Sequence, residues 1–220
     1  MSTGVRRNQI DVSHDEIEAP FEGDGVEQDE NTSDKSIVFL DAASDGNYKK
    51  LVEVYSELKH ENNKKKMLFY NDGDQNTALH FGAKNGNARI CRFIVEEAER
   101  LGVAKELVSF ENSKGFTPLL EVAIKGYQEE KDLDKAFDMR APIIEKLLEA
   151  GANPNYCKEV TKMTALHWLA YNNDSKAIEV LLNKGADSQA LSYDGNMPID
   201  VAGTKPSFDS LRVLLDHYQV

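Results

Sequence analysis

The chain has 220 residues, with 26 Lys and Arg against 38 Asp and Glu, a net charge of −12 and a pI near 4.9. That balance argues against nucleic-acid binding, which needs a basic footprint. No apolar run approaches the roughly 18 residues of a spanning helix, the first residues show no apolar signal-peptide core, and two cysteines, Cys91 and Cys157, are too few for a disulfide framework. A reducing compartment is therefore expected: the cytoplasm, with the nucleus as the alternative.

Residues 1–35 come first. They hold ten acidic and three basic residues, −7 of the total, with no apolar period. Such a stretch buries too little surface to offset its ordering entropy and reads as a disordered, solubilising tail, with an interaction arm for a basic partner as the alternative.

From residue 36 onward one pattern recurs. The stretch Thr77-Ala78-Leu79-His80 returns as Thr117-Pro118-Leu119-Leu120, as Thr164-Ala165-Leu166-His167 and, altered, as Met197-Pro198-Ile199-Asp200. Its apolar third position falls at Leu79, Leu119, Leu166 and Ile199, spaced by 40, 47 and 33, with a fainter copy 40 residues upstream at Phe39. After each motif comes a small pair such as Gly82-Ala83, then a turn at Gly46, Gly86, Gly126 or Asn173. Glycine and asparagine suit the left-handed conformation that ends a helix. A second apolar run with i, i+3, i+4 spacing follows, for example Ile90-Cys91-Phe93-Ile94 and Ile143-Ile144-Leu147-Leu148. Asp72-Gly73, Lys114-Gly115 and Asp194-Gly195 supply turns before the next motif.

The unit therefore reads turn, short helix, turn, longer helix, loop. It resembles the ankyrin repeat, whose period is about 33 residues. The resemblance covers residues 36–220 in five copies, near 36–70, 71–110, 111–155, 156–191 and 192–220. It implies an all-α solenoid of stacked helix-turn-helix units with short hairpin loops, in which no unit buries its apolar stripe alone. Two segments look like additions. Residues 59–71, with Lys64-Lys65-Lys66, read as a solvated loop, with a nuclear-localisation or anionic-lipid patch as the alternative. The insert 127–140 separates the two helices of copy three, and Pro142 is expected in the first turn of the second.

The chain shows no phosphate-cradling glycine loop, no Cys-x-x-Cys and no His-Glu-x-x-His. His80 and His167 share one repeat position, and in ankyrin-like chains the Thr and His of the motif bond across the helix start and between repeats. Copies three and five carry Leu120 and Asp200 there and should lack that bond. No catalytic residue, metal site or cofactor is expected.

The resemblance implies a non-catalytic adaptor, monomeric alone and not inserted in membranes, that binds a protein through the concave groove and hairpin tips. The alternatives are a structural subunit of a cytoskeletal or axonemal assembly, or the N-terminal region of a longer membrane protein or enzyme. Counting one position past each motif places Asp41, Phe81, Glu121, Trp168 and Val201 toward the groove, with Lys84, Ile124 and Tyr171 one turn on, and Asn85, Lys125 and Asn172 beside them. Trp168 and Tyr171 at i, i+3, extended by Phe81 and Ile124, have hot-spot composition. Phe116 and Tyr193 stand at the hairpin tips.

Overall fold

A computed structural model of the chain describes residues 32–124, 133–202 and 209–218. The acidic stretch 1–31, residues 125–132 with the expected turn at Gly126 and the first part of the insert, residues 203–208 and residues 219–220 lie outside it.

The motif copies become helix pairs because each apolar stripe has only its neighbours to pack on. The first helices of the copies are α1 (Thr32–Ser44), α4 (Ala78–Lys84), α7 (Pro118–Ile124), α9 (Ala165–Asn172) and α11 (Pro198–Ala202). They stack side by side as one layer. The second helices are α2 (Tyr48–Ser56), α5 (Ala88–Arg100), α8 (Leu133–Glu149), α10 (Ser175–Asn183) and α12 (Asp209–Tyr218), and they form the other layer. On α5 the stripe Ile90, Cys91, Ile94, Val95 and Ala98 is fully buried, as a 3.6-residue period demands. One buried cluster runs without a break from Phe39 to Leu214. It joins all five copies into a single core.

The turns between paired helices follow the sequence. Gly46 and Gly86 have φ of +72° and +69°, and Asn173 takes φ of +59° in the same role. Asn47 and Asp174 then cap the second helices, accepting from the N–H of Lys50 and Ala177 at 3.1 Å each.

Two expectations need correction. Residues 59–71 are not a loop: α3 (Glu61–Phe69) occupies them, with Met67 and Leu68 buried. Lys64 lies with its ammonium 5.3 Å from the centre of the Tyr55 ring, and Lys65 is half-buried, so two of the three lysines cover core with their stems while Lys66 is exposed. A matching helix, α6 (Ala104–Ser109), buries Leu107 and Val108, 40 residues after Met67 and Leu68. The 40-residue spacings thus mark units with a third helix. Pro142 is the second correction. It lies inside α8, ten residues in, because the helix already starts at Leu133 within the insert. It leaves the carbonyl of residue 138 without its usual helical donor.

Candidate protein-interaction surface

The edge of the stack is set by its hairpins. Asp72 Oδ1 accepts from the N–H groups of Asp74 (2.9 Å) and Asn76 (2.8 Å), and Asn112 Oδ1 accepts from those of Lys114 and Phe116 (3.0 Å each). Both are side-chain-closed turns of the kind Asp and Asn favour. Burial pushes the Asp72 carboxyl up, but hydrogen bonds from the Asn76 side chain and from the N–H groups of Asn76 and Asp74 together hold it below its ordinary range. Successive tips are tied together: Ser113 donates to the Asp74 carbonyl from both N–H (2.9 Å) and Oγ (2.8 Å), and Tyr193 N–H donates to the Thr161 carbonyl at 2.8 Å.

Each histidine of the motif clamps two copies. Nδ1 of His80 accepts from Thr77 N–H (3.3 Å) and sits 2.9 Å from Thr77 Oγ1, so it carries no proton. The proton is on Nε2, which donates to the Phe116 carbonyl of the next hairpin at 3.0 Å. His167 repeats this with Thr164 (3.2 and 2.9 Å) and the Asn196 carbonyl (3.0 Å). Burial pushes His80 down to about 4 and His167 in the same direction, because a charged ring loses its hydration there. Both are neutral structural groups at pH 7.

Where the motif has no histidine, the joint is made otherwise. Leu120 is buried in the core, while Asp200 keeps only the local half of the cap, accepting from Met197 N–H at 2.8 Å. Between copies three and four, Tyr156 Oη donates to the Gly115 carbonyl (3.2 Å) and the Lys158 ammonium lies 5.0 Å from the centre of the Phe116 ring. Sequence reasoning missed one contact here. Arg140, at the end of the insert, is 4% exposed and pairs at 3.8 Å with the fully buried Asp174 cap. An arginine heading an apolar helix run opposite a helix-capping aspartate was the available signal.

The expected surface residues divide by role. Tyr171 and Tyr193 are 44% and 74% exposed, and Lys84 is exposed. Phe81, Ile124, Trp168 and Phe116 are half-buried and pack on the core as a floor. Asn85 and Asn172 knit the first-helix layer: their Nδ2 groups donate to the carbonyls of Ser44 (2.8 Å) and Ala123 (2.9 Å) of the preceding copy. Lys125 lies outside the described residues. Asp41 is exposed and Val201 half-buried, but Glu121 does not face outward. It is 9% exposed, and Asn112 Nδ2 donates to it at 3.0 Å. Two exposed apolar side chains went unnoticed in the sequence, Val160 (72%) and Leu191 (58%), both in loops leading to the last two tips.

Comparison with known proteins agrees with this geometry. A family model described as ankyrin repeats (3 copies) matches residues 136–220. The chain carries ankyrin repeats. The ankyrin repeat domain-containing protein 40 of Homo sapiens is 34% identical over 62 residues, 28% of this chain and 17% of that protein, and its Mus musculus counterpart matches equally. The neurogenic locus Notch protein of Drosophila melanogaster is 30% identical over 103 residues, 46% of this chain and 4% of that protein. The matched stretches thus span a small fraction of these relatives. Ankyrin repeats are in general protein–protein interaction modules, and the family is generally non-catalytic. No described helix is long and apolar enough to cross a membrane.

Proposed function

We propose that this ankyrin repeat protein is a non-catalytic adaptor, monomeric by itself, that holds a protein partner on the first-helix side and the tips of copies two to five. The supporting observation is the exposure of Tyr171, Tyr193 and Val160. Three large side chains stand in water on two adjacent copies, and the Tyr193–Thr161 backbone bond fixes the tips that carry two of them. Exposed aromatics held on a rigid frame are what a binding hot spot needs. Lys84 adds positive charge, as does Lys125 by its place in the sequence, in the register of Asn85 and Asn172. Phe81, Ile124, Trp168 and Phe116 form the apolar floor, and Asn85 and Asn172 border it. The free thiols of Cys91 and Cys157 support a cytoplasmic or nuclear setting.

The test is site-specific photo-crosslinking in cells. A photoreactive residue replaces Tyr171 or Tyr193, and a control replaces Glu179, exposed on α10 of the other layer. The expected result is a discrete protein adduct from the two tyrosine positions only. Equal adducts from Glu179, or none from either tyrosine, would remove the assignment.

A further inference from the structure

The second-helix layer carries an open groove that the surface above does not use. It encloses about 260 Å³ and is lined by Tyr48 of α2 and by Ala88, Arg89, Arg92, Phe93 and Glu96 of α5. Its chemistry is aromatic and basic. The Arg89 guanidinium lies 4.6 Å from the centre of the Tyr48 ring. Tyr48 meets Phe93 edge-on at 6.1 Å, and Phe93 meets the buried Tyr55 at 5.4 Å, so the floor is braced from the core. Arg89 and Arg92 are exposed, and neither has an ion pair among the described residues. Glu96 is the single acidic residue of the lining. In a chain of net charge −12, two adjacent arginines without carboxylate partners beside an aromatic floor ask for an anionic occupant with one ring.

The chain itself contains such a segment. Residues 15–30 hold eight Asp and Glu and no Lys or Arg, and Phe21 is the one aromatic residue between 1 and 31. Glu18 and Glu22 flank Phe21, and Pro20 before it biases Ala19 toward an extended path. We propose that this acidic stretch docks intramolecularly on the α2–α5 groove, with Phe21 against Tyr48 and Phe93 and its neighbouring carboxylates on Arg89 and Arg92.

The reach is sufficient. The Lys35–Glu57 ion pair (3.2 Å) places the start of α1 beside the end of α2. Tyr48 lies about 14 Å back along α2 at 1.5 Å per residue. The eleven residues from Phe21 to Thr32 span up to about 36–40 Å when extended. Tethering at that length supplies an effective concentration in the millimolar range, so weak contacts suffice. The other open face near this end, the outer side of α1 with exposed Ile37 and Val38, also carries Asp34, Asp41 and Asp45 and repels an acidic segment.

The test is backbone amide NMR on the full chain, comparing wild type, Phe21→Ala, and Arg89→Glu with Arg92→Glu. The expected result is that Phe21→Ala shifts the amides of Tyr48 and of 88–96 while copies four and five stay unchanged. The arginine reversal moves amides 18–24 to random-coil positions, and about 0.5 M salt does so in part. All shifts should be independent of protein concentration. If the reversal variant fails to fold, the Phe21 and salt arms stand alone. Unchanged groove amides in Phe21→Ala, shifts centred on Ile37 and Val38 instead, or shifts that vanish on dilution would each overturn the proposal.

Discussion

Replacing His80 with leucine tests the clamp between copies two and three at a position where the chain already accepts leucine, since Leu120 holds the equivalent place. The substitution leaves the Phe116 carbonyl and the Thr77 N–H without the ring atoms that now pair them. Each buried polar group stranded in this way costs about 1–3 kcal/mol, so the expected loss at pH 8 is about 2–4 kcal/mol. The pH dependence is more diagnostic. The folded His80 is pushed down to about 4 from an ordinary 6.5 by burial, so its neutral form is the one the fold holds. Its contribution is complete above pH 6.5 and drains away as pH falls toward 4. Between pH 8 and pH 5 the wild type should lose about 2 kcal/mol through this group, a loss the leucine variant escapes. Urea unfolding followed by circular dichroism, with Trp168 emission as a second probe, reads both chains at both pH values. The gap between them should narrow by about 2 kcal/mol on acidification, and the carboxylates common to both chains cancel in the difference. A gap that stays constant, or widens, would refute the claim that a neutral, buried imidazole joins these copies.

Other perturbations follow from the packing. Leu166→Ala truncates a fully buried side chain and should destabilise by about 2–5 kcal/mol, seen as a clear fall in Tm; an unchanged Tm would refute the repeat register. Arg140→Ala removes the cation 3.8 Å from the buried Asp174 carboxylate and should lower stability by about 3–5 kcal/mol, whereas an exposed pair such as Lys184–Glu149 (3.6 Å) should tolerate Lys184→Ala within about 1 kcal/mol. Thiol titration of the native protein should label Cys157 readily and Cys91 only on unfolding, because burial pushes the Cys91 thiol up to about 12; rapid labelling of two thiols would contradict its place in the α5 stripe.

The stack was legible because its signals are local and repeated. The threonine cap, the histidine one turn later, the small pair and the left-handed turn all sit within about 12 residues, and each copy corroborates the others. What escaped was what depends on partners distant in sequence. The helix α3 hid behind three lysines, two of which are half-buried against the core, a use that hydropathy cannot distinguish from a solvated loop. The pairing of Met67-Leu68 with Leu107-Val108 at the same 40-residue step would have revealed it. Pro142 looked like a helix start because that is where proline is best tolerated, yet packing of α8 on α5 and α10 carries the helix through it. Glu121 was placed outward by counting positions, but Asn112 in the hairpin before α7 offers its carboxylate a donor inside the stack. On the candidate surface, Tyr171, expected from the register, and Tyr193, expected at a hairpin tip, are exposed. Their places in the sequence did not separate them from Phe81, Ile124 and Trp168, whose partial burial is decided by the neighbouring copy.

The two histidine clamps alternate with a joint of another kind. Copies two and three are fastened by His80, copies four and five by His167, while the middle seam relies on Tyr156, Asn172 and the Arg140–Asp174 pair. Acid therefore acts on the two outer of these seams through their imidazoles, each held below its ordinary range by burial. Under pulling from its ends, the order in which the seams yield should therefore change between neutral and acidic solution, because protonation opposes the two clamped seams.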